Sequence, residues 1–172
     1  VDSEFNTVHA LKCELASEVL RSSGSLRLQV TGWSMLPTVW PGDTLVIDRI
    51  PTDAMFAGDI VLFGRNRRLV AHRVVTRGVV TRDHQDGEIL TRGDAMPAPD
   101  PPVSENDLLG KVSFILRGGK CIKPARRPRF SGRAAAALFR RSAFAARVVV
   151  RAHGLRQKWQ SRAQQQTPLV QT

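Results

Sequence analysis

Tyrosine is absent from this 172-residue chain, and aromatic residues make up only 6% of it. That excludes an aromatic-rich platform of the kind on which single-stranded bases stack. Cysteine is scarce. Cys13 and Cys121 lie far apart, with no CxxC or CxxH spacing. A disulfide mini-protein is therefore excluded, no thiolate metal site is expected, and a Cys13–Cys121 bridge is a minor expectation. The longest uninterrupted apolar run, Ala134–Phe139, falls far short of the roughly 18 residues a membrane span needs. No charged-then-apolar leader opens the chain.

What is present is ordinary for a globular protein: 42% hydrophobic and 24% charged residues. The length suits one compact domain with a core and a tail. The net charge of +11 is unevenly placed. Residues 118–172 hold 13 of the 26 Lys and Arg and none of the 15 acids. Residues 1–117 hold the other 13 cations and every acid, so the body is near neutral and the tail alone is basic. Such a tail is expected to meet something anionic: phospholipid headgroups, nucleic acid or an acidic partner.

Periodicity divides the chain into 1–24, 25–117 and 118–172. Residues 7–20 read as an amphipathic helix, with Val8, Leu11, Leu15 and Val19 recurring at three or four and Gly24 after the end. From Ser25 the period becomes two, and Leu26, Leu28 and Val30 alternate with Arg27 and Gln29. Further strands are expected over 44–49, 59–63, 69–76 and 109–116, with a hairpin pairing 78–81 with 88–91. Short strands separated by Gly, Pro and Asp turns indicate a mainly β fold, a barrel or coiled antiparallel sheet. Residues 95–102 form a stiff, proline-rich loop. Residues 132–162, rich in Ala, Arg and Gln, read as a helix on which Arg133, Arg140, Arg147, Arg151, Lys158 and Arg162 fall within a stripe of about 60°. No acid interleaves, so an interfacial membrane helix competes with a merely solvated face.

Three segments carry candidate chemistry. The first is Gly32-Trp33-Ser34-Met35-Leu36-Pro37-Thr38, followed by Pro41-Gly42-Asp43. Next comes Val70-Ala71-His72-Arg73-Val74, where alternation puts His72 on an apolar face. The third is Thr91-Arg92-Gly93-Asp94, with Asp100 beyond it. Each alone is bland: a turn serine, a core histidine, one more Gly-Asp turn. A serine hydroxyl, however, is a poor nucleophile until a base takes its proton. Lysine must lose about three pKa units by burial to do so near neutral pH, whereas an imidazole starts at about 6.5. The imidazole then needs a carboxylate on its other nitrogen to fix ring and tautomer. Asp94 and Asp100 are both candidates. Asp100 is preferred because Asp94 can be occupied in its own turn. His84 is a rival base, while His9 and His153 lie outside the motif-bearing stretch.

Taken in order, Gly-x-Ser-Met-x-Pro-Thr, Pro-Gly-Asp, Gly-Asp-Ile-Val, His-Arg-Val, Thr-Arg-Gly-Asp and Gly-Lys-Val resemble the type I signal peptidases, over roughly residues 26–116. Those enzymes belong to the serine peptidase clan that also holds the self-cleaving LexA-like repressors. The resemblance implies a coiled antiparallel β fold and cleavage of an extended precursor peptide or preprotein after small residues, with no cofactor and no metal. His72-Arg73 stands where the familiar bacterial branch has Lys-Arg, which is similar to the Ser-His branch. By this matching Ser34 is the nucleophile, His72 the base, and Met35, Leu36 and Pro37 flank an extended substrate. The Ser34 N–H supplies an oxyanion donor. The second donor usually comes from a serine two positions earlier, and here that position is Gly32.

A second departure is the short amphipathic helix where signal peptidases usually have a transmembrane anchor. The basic residues 126–162 are expected to provide peripheral contact with an anionic membrane instead. A non-catalytic peptide-binding or regulatory relative is the alternative reading. Nucleic-acid binding is disfavoured, because no helix-turn-helix or aromatic-basic platform is recognisable. A self-cleaving repressor would place a DNA-binding domain ahead of the body, and residues 1–24 are too few for one.

Overall fold

The computed structural model describes residues 2–77 and 88–127. A helix, α1 (Asp2–Ser23), ends at Gly24, whose positive φ of 72° lets its N–H close on the Leu20 carbonyl at 3.1 Å. The chain then forms β1 (Ser25–Gln29), β2 (Thr44–Asp48), β3 (Ile60–Arg65), β4 (Arg68–Arg77), β5 (Ile89–Arg92), β6 (Leu108–Arg117) and β7 (Lys120–Ile122). These make one seven-stranded antiparallel sheet in the order β1-β2-β6-β3-β4-β5, with β7 paired to β6. The fold is mainly β, as the turn spacing predicts. Register shifts at Val46/Ile47, Leu62/Phe63 and Val74/Thr76 coil the sheet.

Coiling lets the sheet bury both faces of its central strand. Ile60 and Leu62 of β3 join Leu45, Ile47, Val112 and Ile115 in one core cluster. Val61 and Phe63, on the opposite face, join Met55, Val74, Ile89 and Val103 in another. This explains why Ile60-Val61-Leu62-Phe63 is an unbroken apolar run while the outer strand β1 alternates.

Two elements differ from expectation. The buried side of α1 carries Ala16 and Leu20, whereas Leu11 and Leu15 are 62% and 61% exposed. The stripe of largest apolar residues is thus not the packed face; a small side chain, Ala16, lets the helix approach the sheet. The sheet also continues past Arg117. Gly118 and Gly119, both at positive φ, turn the chain back into β7, and residues 123–127 then return to Asp59, just ahead of β3, and to Arg73 of β4. The expected helix over 132–162 and the 78–87 side of the expected hairpin lie outside the described residues; β5, its other side, pairs with β4. Cys13 and Cys121 are both free thiols. Among the described residues no helix is long and apolar enough to cross a membrane.

Candidate active site

Ser34 sits in the turn that follows β1. The turn is closed by Leu36 N–H to Trp33 O at 3.1 Å and Val39 N–H to Met35 O at 3.0 Å. Its base is fixed by Asp43, 1% exposed, which accepts from Trp40 N–H at 2.7 Å and from Arg117 at 2.9 and 2.6 Å. Arg117 also donates to the Thr38 carbonyl at 2.9 Å, tying the serine turn to the end of β6. Met35 and Leu36 are 4% and 0% exposed. This corrects the expectation that Leu36 flanks a substrate: its side chain is in the interior. Met35, though buried, still lines the cleft beside Ser34, and Pro37 is half-buried.

His72 lies on β4, paired with Val61 of β3, and its ring meets the edge of Phe63 at a centroid distance of 6.2 Å. Only 7% of the residue is exposed. Its Nε2 is 2.9 Å from Ser34 Oγ and its Nδ1 is 2.7 Å from Asp100 Oδ2. A carboxylate on Nδ1 keeps the proton there, which leaves Nε2 as the acceptor facing the serine hydroxyl.

Asp100 is held in turn by two contacts with Thr91: the hydroxyl donates to Oδ2 at 2.7 Å, and the Asp100 N–H donates to the Thr91 carbonyl at 2.8 Å. Prolines at 97, 99, 101 and 102 stiffen the loop. Arg65 closes over it, its Nη2 donating at 2.7 Å to both the Pro101 and Pro102 carbonyls.

The structure separates the two aspartates. Asp94 does not reach His72; it accepts from Arg73 Nε and Nη2, both at 2.8 Å, and from the Thr38 hydroxyl. Arg73 and Asp94 side chains are only 10% and 7% exposed. Arg73 Nη1 donates to the Gly58 and Ala125 carbonyls at 2.7 and 2.9 Å, so the returning segment 123–127 helps to solvate the guanidinium.

Gly93, immediately after β5, is where that strand end touches the site. A Cβ there would lie 2.6 Å from the Ser34 carbonyl oxygen and 3.1 Å from His72 Nε2. Ala95 N–H donates to that same carbonyl at 2.9 Å. Gly32 is exposed, and a Cβ there would meet nothing within 4 Å. No described residue accepts a hydrogen bond from the Ser34 N–H. His84 and His153 lie outside the described residues.

Beside Ser34 and His72 opens a cleft of about 420 Å³, with Leu28 and Val30 on one side, Leu69 and Ala71 on the other, and Met35 and Leu62 beneath. It runs between the end of β1 and the part of β4 that lacks a second neighbour: residues 68–72 pair with β3 alone, while β5 joins only from Arg73 onward. No lysine lines this cleft among the described residues. A second recess of about 520 Å³ lies away from Ser34 and holds Asp59, which is paired with Lys111 and Arg126.

The partners Arg65, Thr91 and Arg117 went unnoticed in the sequence. Each acts on a carbonyl or carboxylate 9 to 79 residues away, and no local pattern announces that. Among the described residues no group of His, Cys, Asp and Glu is arranged to hold a metal ion.

The family model described as Peptidase S24-like matches residues 3–108, more than half of the chain, and that span takes in Ser34, His72, Asp94 and Asp100. No curated protein matches.

Proposed function

The chain belongs to the S24-like peptidase family, and from that premise we propose that it is a serine endopeptidase in which Ser34, His72 and Asp100 act together. The observation that carries this reading is the continuous line from Ser34 Oγ through the imidazole to Asp100, at 2.9 and 2.7 Å. In the proposed reaction His72 Nε2 takes the Ser34 proton as Oγ adds to the scissile carbonyl. The developing oxyanion is met by the Ser34 N–H. His72 then gives the proton to the leaving amine, and water, activated by the same nitrogen, releases the acyl group. Asp94 has no part in this relay. It braces the fold through Arg73.

The substrate proposed is an extended peptide laid edge-on against residues 68–72, as strand addition favours. The mostly apolar cleft is proposed to take small side chains near the cut, in keeping with the resemblance to signal peptidases of the Ser-His branch. Precursor peptides or preproteins are the corresponding substrate class. The basic residues from 126 to 162 would hold the body at an anionic membrane surface, a reading supported by the eleven Lys and Arg and the absence of any Asp or Glu in that stretch.

Digestion of a diverse peptide mixture, read by mass spectrometry, tests the proposal. Cleavage should follow small residues and vanish in Ser34→Ala. A folded wild type that binds peptides and cuts none would instead mark a non-catalytic relative.

A further inference from the structure

The hairpin joining β3 to β4 turns through Asn66 and Arg67, both at positive φ (49° and 61°), the backbone of a tight two-residue turn. The residues directly opposite each other at its end are Arg65 and Arg68. Like charges facing across a strand pair destabilise it, so this tip carries an electrostatic penalty. Arg65 is relieved: it donates to the Pro101 and Pro102 carbonyls, and its guanidinium lies 5.4 Å from the centre of the Phe63 ring. Arg68 is not. No described residue forms an ion pair or side-chain hydrogen bond with it, and it is exposed.

Arg68 nevertheless stands on the cleft. Apart from His72, it is the one residue with a basic side chain among the described residues lining that cleft, and no acid lines it. Alternation along β4 places Arg68, Val70 and His72 on one face, opposite to that of Leu69 and Ala71, so Arg68 meets the edge of the cleft from the His72 side. An extended chain laid beside residues 68–72 advances about 3.3 Å per residue. The side chain meeting Arg68 is therefore about four residues from the one meeting His72, a separation of roughly 13 Å.

We infer that Arg68 is a specificity residue that selects substrates bearing Asp or Glu about four residues from the scissile bond, on one side of it. The inference rests on the peptidase reading above, and it adds a charged requirement to a cleft whose lining is mostly apolar. An arriving carboxylate would supply the acid that the hairpin tip lacks and relieve the Arg65–Arg68 repulsion. Arg67, adjacent in the turn, reinforces the field without facing the cleft itself.

The test is a peptide series derived from one neutral parent sequence, with a single Asp or a single Lys moved through every position within six residues of the cut. Two readouts are taken: kcat/KM with the wild type, and equilibrium affinity by fluorescence anisotropy with Ser34→Ala. Asp should be favoured over Lys at a single position, about four residues from the cut, by roughly 3- to 10-fold. Raising the salt should shrink that ratio. Arg68→Glu should reverse the preference at the same position, a ratio that does not depend on the overall rate of the variant. A flat scan in both readouts, or a scan that Arg68→Glu leaves unchanged, overturns the inference. Cleavage without charge preference removes the role of Arg68 and spares the peptidase reading; charge-selective binding by a wild type that cuts nothing does the opposite.

Discussion

Arg73 holds Asp94 with two nitrogens, Nε and Nη2, each 2.8 Å from a different carboxylate oxygen. Arg73 is the residue after His72 on β4, and Asp94 follows Gly93, which packs on the Ser34 carbonyl. This nearly buried pair therefore binds together the two chain segments between which the serine turn is held. Removing one partner strands a charge in the interior. Asp94→Asn should lower the unfolding free energy by about 3–5 kcal/mol in urea titrations.

Asp100→Asn should behave in the opposite way. On the proposed mechanism an amide at this position favours the wrong tautomer of His72. kcat should fall by about 10³- to 10⁴-fold, while the unfolding midpoint moves far less than in Asp94→Asn. Parallel measurement of both variants separates the bracing acid from the orienting one.

The side chains that the fold brings together, Ser34, His72 and Asp100, were legible as candidates: Ser34 and His72 sit in short motifs, and Asp100 was the acid left over once Asp94 was assigned to its own turn. The strand pattern was readable for a similar reason: β3 is an apolar run bounded by turns. The partner of Asp94 was not readable. Its cation lies 21 residues earlier, and only the β4–β5 register brings the two together. β7 did leave a signal, since Gly118-Gly119 between Phe114-Ile115-Leu116 and Cys121-Ile122 is a hairpin pattern. The basic composition beginning there obscured it.

The face of α1 was misjudged for a physical reason. Side-chain size marked Leu11 and Leu15 for burial, whereas close approach of helix and sheet selected Ala16 beside Leu20. Leu15→Lys should therefore leave the unfolding free energy within about 0.5 kcal/mol of wild type. Leu20→Ala should cost about 2–5 kcal/mol. Chemical denaturation of the two variants checks the assignment.

Gly93 is required for proximity rather than for a left-handed backbone. A methyl group at this position collides with the Ser34 carbonyl oxygen at 2.6 Å and crowds His72 Nε2 at 3.1 Å. Gly93→Ala must push the serine turn away from β4 or the imidazole from Ser34. Activity should drop by at least about 10²-fold, the scale of a displacement near 1 Å. Replacement of the exposed Gly24 provides no such collision, and a steady-state assay of Gly93→Ala is the direct check.

Asp59 gives the fold a defined acid response. Burial alone would raise its pKa. The hydrogen bond from Lys111, the Phe56 N–H and Arg126 outweigh that effect and hold it below its ordinary value. A folded-state pKa depressed below the unfolded one contributes stability that is present above about pH 4 and is lost as pH falls through the folded value. The difference in unfolding free energy between wild type and Asp59→Asn should be largest near neutral pH and shrink below about pH 4. Urea unfolding across pH 3–7 measures it.

The central claim is that the hydroxyl of Ser34 is a nucleophile activated by His72. Mass spectrometry after treatment with a fluorophosphonate probe reads this most directly. The account predicts a single covalent adduct on Ser34 in the wild type, none in Ser34→Ala, and nearly none in His72→Ala, while His84→Ala labels as well as wild type. An unmodified Ser34 in a folded wild-type protein, or full labelling of His72→Ala, would contradict it.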